Sequence, residues 1–263
     1  MNDLERRREA AKVIALSAGA IARDHFERLD SLEVESKGRQ DYVTVADREV
    51  EAHIRAALER EFPGEAFLGE ESGGEIREPV WVVDPIDGTT NFVRGLPMFA
   101  VSIAWVHEGR AQVGVMYEPA TDTMMSATST GAALLGDDRP LAVRRCSSLE
   151  EAIVAFGYSE RSGREPFLDR FPRVLRTHAE FRRFGAATYG LASVARAQTD
   201  AFFQLHLSPW DVLAGLLIVE RAGGVTKNFL ANDGMRKGNV CFCAAPGIVD
   251  ALAPLLEVDL ESS

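Results

Sequence analysis

Apolar residues recur along this chain in two spacings, and the change from one to the other predicts its elements. Between residues 3 and 29, Ala11, Ile14, Ala18, Ile21 and Phe26 fall at three-to-five-residue intervals, with Leu4 two turns before Ala11. That spacing is one face of a long amphipathic helix. Val43-Thr44-Val45 reads as a short extended stretch. A second helix follows from Asp47, an N-cap residue type, with Val50, Ile54, Ala57, Leu58 and Phe62 on one face and Pro63-Gly64 as its stop. Short apolar runs then take over. Ala66-Phe67-Leu68 is a strand candidate, and Val80-Trp81-Val82-Val83 is apolar at every position, as in a strand buried on both faces. Residues 100–106 and 111–117 form a hairpin pattern around His107-Glu108-Gly109-Arg110, and strand-like stretches continue at 124–127, 132–135 and 141–143. Ile153-Val154-Ala155-Phe156 opens a second half, in which helical patterns at 165–178, 188–198 and 209–222 alternate with the strand pattern of 201–205. The last helix has Ser208 as N-cap, Pro209 at its first position and Gly223-Gly224 at its end. This is an α/β pattern without repeats or linkers, read as one compact unit over 1–263 with sub-layers of roughly 1–145 and 146–263.

Composition narrows the class. Apolar residues make up 46% and charged residues 26% of 263 positions, ordinary globular usage that excludes a disordered, coiled-coil or collagenous chain. The apolar run 212–219 is eight residues long, far short of the ~20 that cross a bilayer. The start of the chain, Met1 to Glu9, leads into no apolar core of signal-peptide type. Three cysteines, Cys146, Cys241 and Cys243, give an odd number without a Cys-x-x-Cys pair, which predicts a reducing, cytoplasmic setting. Cys241 and Cys243 stand two apart in an apolar run and would share one face of a strand as small buried hydrophobes. The net charge of −11 disfavours nucleic acid and anionic membrane as main partners. It leaves open a small anion whose charge is offset by bound cations.

The candidate chemistry lies in acids placed at the ends of apolar elements. Asp84 ends the run 80–83, Pro85 turns the chain, and Asp87 follows three residues after Asp84. Gly88 permits a close ligand approach, and Thr89 and Thr90 bring hydroxyls and backbone N–H groups to the start of a helix, where an anion binds. Two aspartates with the Ile86 carbonyl between them can offer three oxygens, the donor type that Mg²⁺ requires. Asp-Pro and Asp-Gly also make turns for their own sake. Two further features point beyond a turn. Glu70 and Glu71 sit together after Gly69, where like charges call for cations. Asp211 lies between Trp210 and the apolar run 212–219, which would desolvate it, although an acid in the first turn of a helix is also favoured by the helix dipole.

The string Trp81-Val82-Val83-Asp84-Pro85-Ile86-Asp87-Gly88-Thr89-Thr90-Asn91-Phe92 resembles the first signature of the inositol monophosphatase family, and 210–224, from Trp210-Asp211 to Gly223-Gly224, resembles its second. Gly69-Glu70-Glu71-Ser72 and Asp41-Tyr42-Val43-Thr44-Val45-Ala46-Asp47 are similar to two more family segments, in order, across nearly the whole chain. The resemblance implies a five-layer α/β/α/β/α sandwich of the inositol monophosphatase and fructose bisphosphatase type. It also implies a Mg²⁺-dependent phosphomonoesterase with two or three ions, assembled as a lithium-sensitive homodimer. By the matching positions, Glu70, Asp84, the Ile86 carbonyl, Asp87 and Asp211 hold the metals, with Asp47 acting through water. Gly88 and Thr89 contact phosphate, and Gly185-Ala186-Ala187 contacts substrate. Glu70 and Thr89 orient the attacking water, and Asp84 bridges two ions. Gln204 stands where inositol monophosphatases usually carry a glutamate that binds an inositol hydroxyl. It keeps an acceptor and loses the charge.

The implied substrate is a small phosphorylated metabolite, inositol 1-phosphate or a similar polyol or sugar phosphate. Histidinol phosphate, fructose 1,6-bisphosphate and adenosine 3′,5′-bisphosphate are the alternatives within the fold. A regulatory protein acting through protein or RNA contacts is the alternative of another class. A carboxylate-rich Ca²⁺ module is weaker, because the chain lacks an Asp-x-Asp-x-Asp-Gly loop. The five histidines include no two at close metal-ligand spacing.

Overall fold

The computed structural model describes residues 2–29, 34–38 and 41–260. Helix α1 (Asp3–Phe26) starts on Asn2, whose side chain accepts the Glu5 N–H at 2.8 Å. Strands β1 (Val34–Gly38) and β2 (Asp41–Thr44) pair antiparallel, and β2 runs straight into helix α2 (Val45–Glu61). The cap of α2 is Thr44 and not Asp47. Asp47 sits in the first turn, returning a hydrogen bond to the Thr44 N–H while the Thr44 hydroxyl faces the Asp47 N–H. The pattern Thr-x-x-Asp is a capping box, and it shifts the start of the helix three residues earlier than Asp47 alone suggests.

Strands β3 (Ala66–Gly69), β4 (Gly73–Gly74) and β5 (Val80–Asp87) come next, then the single turn α3 (Thr89–Val93). Strands β6 (Ala100–His107), β7 (Arg110–Glu118), β8 (Thr123–Thr128), β9 (Leu134–Leu135) and β10 (Arg139–Pro140) complete an eight-stranded sheet, ordered β10-β9-β8-β7-β6-β5-β3-β4. The expected strand at 141–143 is absent. Leu141 N donates to Ala133 and Val143 N to Ala222, so this segment bridges two neighbours and builds no ladder. Strand β5 does not end at Asp84. It continues to Asp87 with a register shift against β6 between those two acids.

The second half holds β11 (Ile153–Phe156), α4 (Glu165–Leu175), β12 (Glu180–Arg182), α5 (Ala187–Ala195), β13 (Ala201–Leu207), α6 (Pro209–Arg221), β14 (Val225–Thr226), α7 (Gly234–Lys237), β15 (Asn239–Ala244) and α8 (Val249–Leu255). Its five strands are ordered β12-β11-β13-β15-β14. Strand β12 has all three residues exposed at a sheet edge, so it carries no apolar pattern to read. Helices α4 and α5 stop short of the expected ends because His178 and Ala197 adopt left-handed backbone angles, φ 69° and 58°.

Five layers, α/β/α/β/α, enclose two outer cores and a central one that covers both faces of the α5–α6 layer. Alternate residues of β5 divide between two of these cores. Trp81 and Val83 face α1 and α2, whereas Val80 and Val82 face α5 and α6. The second sheet repeats the pattern. Phe202, Cys241 and Cys243 point into the central core with α5 and α6, whereas Phe203, Phe242 and Ala244 point outward onto α8. The two cysteines thus share one strand face as expected, and burial pushes both thiols up, Cys243 to about 12. Helix α6 lies between the sheets, which explains why 212–219 is apolar and buried throughout and has no polar stripe. Among the described residues no helix is long and apolar enough to cross a membrane.

Helix α6 comes so close to the first sheet that a Cβ on Gly114 of β7 would stand 2.7 Å from the Ala214 carbonyl oxygen. Backbone on both sides leaves no side chain that can turn away. Gly114→Ala is therefore expected to cost about 1–3 kcal/mol by overpacking, read from the midpoint of chemical denaturation. A midpoint equal to that of the parent protein would show that α6 can step back freely.

Candidate active site

The acids converge where β5 leaves the sheet and α6 begins. Asp84 and Asp87 flank the bulge at the end of β5, and Asp211 lies in the first turn of α6. Their carboxylates offer oxygens that all lie within 4.8 Å of one another. Each is aimed by a backbone donor. Asp84 Oδ1 accepts the Ile86 N–H at 3.0 Å, and Asp211 Oδ2 accepts the Ser208 N–H at 2.7 Å. Asp87 Oδ2 accepts both the N–H and the hydroxyl of Thr188 at the start of α5, the former at 2.6 Å. The Ser102 hydroxyl donates to the Trp210 carbonyl at 3.1 Å, which ties the start of α6 to β6.

A second acidic arm stands alongside. Asp47, fully buried, accepts the Thr44 N–H and hydroxyl on Oδ2 at 2.7 and 2.6 Å. Its other oxygen faces the Thr89 hydroxyl at 3.3 Å, and that hydroxyl also reaches the Ile86 carbonyl at 3.1 Å. Gly88 takes a left-handed φ of 92°, and a Cβ there would stand 2.8 Å from the Met98 carbonyl oxygen, so the turn into α3 requires glycine. Glu70 follows β3, with its N–H on the Val83 carbonyl, and its carboxyl hydrogen-bonds Asp84. Two acids in contact need either a shared proton or a cation. The Glu71 charge acts on Asp47, apart from the Asp84 cluster.

The electrostatics are those of a cation site. Burial, then the charges of Glu70, Asp87 and Asp211, holds the Asp84 carboxyl well above the usual carboxylate range. Burial raises Asp87 against the donors of Thr188, and burial with the Asp87 charge pushes Asp211 up to about 7 in spite of the opposing charge of Arg161. Burial lifts Asp47 to about 6 against its Thr44 hydrogen bonds. Clustered hard oxygen donors that cannot all ionise fit a hard divalent cation.

Beside Asp87 opens a pocket of about 110 Å³ that reaches Gly185, Ala186, Ala187 and Gln204, so these four expected substrate contacts lie together next to the acids. Sequence reasoning missed Thr44, Glu51, Tyr158, Arg183 and Thr188. Glu51 is buried in α2 and accepts the N–H groups of Glu71 and Ser72, both at 2.8 Å, which fixes the loop carrying Glu70. The Thr-x-x-Asp pattern signalled Thr44. Thr188 had no local signal, because its partner Asp87 is 101 residues away.

The sequence model of the inositol monophosphatase family matches residues 3–253. The chain belongs to this family. It is 40% identical over 237 residues to a protein of Pseudomonas aeruginosa named Nus factor SuhB, covering 86% of this chain and 87% of that one. It is 41% identical over 214 residues to the inositol-1-monophosphatase of Caulobacter vibrioides, covering 79% and 83%. The crystal structure of the extragenic suppressor protein SuhB from Bartonella henselae superposes with a TM-score of 0.88 at 35% identity, over 95% of this chain and 97% of that one. The inositol monophosphatase from Anabaena superposes with a TM-score of 0.83 at 29% identity, over 99% of both chains. Membership carries the coarse assignment of metal-dependent phosphatase, and the five layers above are the family fold.

The raised carboxyls bear on stability. Their folded values lie above the ordinary range near 4, so the native state holds these protons more tightly than the unfolded chain does. That stabilisation is complete below about pH 4 and is lost as pH rises through the folded values, about 6 for Asp47 and about 7 for Asp211. In EDTA the melting temperature is expected to fall between pH 5 and pH 8, with a shallower slope in Asp84→Asn, and a divalent cation should restore more at pH 8 than at pH 5. Equal slopes for the two proteins would remove the acid cluster as the cause.

Proposed function

We propose that the protein is a Mg²⁺-dependent phosphomonoesterase acting on a small phosphorylated polyol or sugar, with inositol 1-phosphate the first candidate. The observation that carries this reading is the Asp84–Asp87–Asp211 cluster, within 4.8 Å, opening onto a pocket that Asp87 shares with Gln204. Glu70, Asp84, the Ile86 carbonyl, Asp87 and Asp211 are the residues that would hold Mg²⁺. Bound divalent cations supply charge neutralisation for the phosphate and polarise the attacking water.

The chain's own groups do the rest. Thr89 Oγ1 has its proton directed at Asp47 and the Ile86 carbonyl, which leaves its lone pairs free to accept from the attacking water. Glu70, in contact with Asp84, is the second group that would orient that water. As the water donates to Thr89, the Thr89 proton passes to Asp47 Oδ1, a buried carboxylate already held on its other oxygen by Thr44. The Gly88–Thr89 backbone at the start of α3 is where the phosphate would sit. Gly185, Ala186, Ala187 and Gln204 bound the space for the alcohol half of the ester. No covalent enzyme intermediate is required, and the histidines take no part. The same reading brings two or three ions, lithium inhibition, a homodimer and a cytoplasmic setting. The last is supported by three cysteines that are all free and buried.

A second reading rests on the names of relatives. Nus factor SuhB proteins of Pseudomonas aeruginosa and Vibrio cholerae are 40% and 34% identical to this chain, which favours a regulatory role carried beside turnover.

Phosphate release across a panel of phosphomonoesters is expected to require Mg²⁺ and to fall with lithium. Asp84→Asn and Asp211→Asn are each expected to lower kcat/KM by ~10³-fold with the fold intact. Full activity in EDTA would overturn the metal-dependent reading. A pull-down from cell extract with Asp84→Asn tests the second reading separately, since a regulatory contact survives loss of turnover.

A further inference from the structure

Helix α2 carries Asp47, Glu51 and Arg55 at four-residue intervals, a spacing that stacks them along one face. Asp47 and Glu51 are both buried, at 0% and 3% exposure, one turn apart. Two acids at that spacing weaken a helix, and burial adds to the cost. Neither has an ion pair with a described residue. Each is met instead by hydrogen-bond donors from outside the helix. The donors on Asp47 include the Thr89 hydroxyl, and those on Glu51 belong to the loop that carries Glu70. The two buried acids of α2 thus hold the two groups that orient the attacking water.

The Glu51 carboxylate takes one loop N–H on each oxygen, Ser72 on Oε1 and Glu71 on Oε2, both at 2.8 Å. Among the described residues these are its only hydrogen-bond partners. Glu70, the residue before them, has its own N–H on the Val83 carbonyl of β5 at 3.2 Å. Three consecutive N–H groups are therefore pinned, one to the sheet and two to α2, and from this segment the Glu70 carboxyl reaches Asp84. Gly69 completes the clasp. A Cβ there would run into the Glu51 carboxylate, so the acid lies directly against the loop backbone. Arg55, one turn further along α2, reaches the Ser72 hydroxyl at 3.4 Å. The clasp has an electrostatic task. Repulsion from the Asp84 cluster drives the Glu70 carboxylate out towards water, and the pinned backbone opposes that movement.

We propose that Glu51 is a positioning residue for the reaction. By clasping the loop 69–72 it keeps Glu70 at the acid cluster, and with Asp47 one turn away it fixes the separation between Glu70 and Thr89. This rests on the phosphatase reading and adds to it a residue that touches neither substrate nor cation. Four residues of helix rise about 6 Å, so both water-orienting groups are referred to one rigid element.

The test uses Glu51→Gln in the full-length protein. The amide keeps the shape of the side chain but has a single acceptor oxygen, so one buried loop N–H meets an NH₂ donor. The Mg²⁺ concentration that half-saturates phosphate release is expected to rise about tenfold, and kcat at saturating Mg²⁺ to fall about tenfold, the lower end for loss of a group that supports a metal ligand. The KM for inositol 1-phosphate should change much less, because Gly88, Thr89 and the alcohol pocket are untouched. Calorimetric titration with Mg²⁺, which involves no turnover, should show the same loss of affinity. Gly69→Ala displaces the same carboxylate without removing it and should reproduce these changes, which also keeps the test open if Glu51→Gln folds poorly. In a Glu70→Gln background, Glu51→Gln should weaken Mg²⁺ binding no further, because its effect is transmitted through Glu70. A lower melting temperature with unchanged Mg²⁺ affinity, or an undiminished effect of Glu51→Gln in the Glu70→Gln background, overturns the inference and leaves the phosphatase reading standing if the parent protein hydrolyses the ester in Mg²⁺. No hydrolysis of any ester by the parent protein in Mg²⁺ overturns both.

Discussion

The mutual repulsion of buried carboxylates is the constraint around which the molecule is arranged. Asp84, Asp87 and Asp211 present oxygens within 4.8 Å of one another, and Glu70 touches the first of them. An arrangement of this kind is unfavourable without protons or cations. It persists because each aspartate is fixed by a donor from a rigid element. The Ile86, Ser208 and Thr188 N–H groups hold the three aspartates, and Thr44 holds Asp47. The carboxylates are thus an oriented donor set, of the kind a hard cation requires.

The five layers explain how that cluster can be tolerated. Two of its members sit on β5, whose alternate residues enter two different cores. The third begins α6, which is buried between the two sheets. Shifting one acid would require moving a strand packed on both faces or a helix in contact with backbone at Gly114. Apolar burial on both sides thus stabilises a local electrostatic cost. The site also sits at element ends, where the backbone donors that aim the acids are free of ladder partners.

Much of this was legible in the sequence, for a physical reason. The metal half is written in local signals. Asp-Pro-Ile-Asp-Gly after an apolar run and Ser-Pro-Trp-Asp before another each combine a burial pattern with a polar end. Elements covered on both faces were equally readable, because 80–83 and 212–219 lack any polar alternation. What escaped was non-local or unpatterned. Thr188 meets Asp87 across 101 residues, Glu51 supports a loop 20 residues onward, and β12 is exposed at an edge. The Asp47 cap was a different kind of miss. The signal was present in Thr44-x-x-Asp47, but an acid before an apolar face was read as the cap when it was the reciprocating partner. Residues 141–143 show the reverse error, an apolar triplet that bridges two neighbours without joining a sheet.

The two halves of the pocket differ in how they are held, and this bears on how one fold serves proteins with different names. Asp84, Asp87 and Asp211 depend on backbone donors and buried elements, so changes there disturb the architecture. Arg183 is exposed at the pocket rim with no hydrogen bond or ion pair to a described residue, whereas Gln204 is buried on β13 and Tyr158 packs against Phe167. A change at Arg183 removes no hydrogen bond or ion pair to a described residue, whereas the acid wall cannot vary without loss of the oriented cluster. Relatives near 40% identity named both for inositol-1-monophosphatase activity and as Nus factor SuhB fit that division. One architecture can carry different roles, because function is set by the side chains placed on a fold and not by the fold alone.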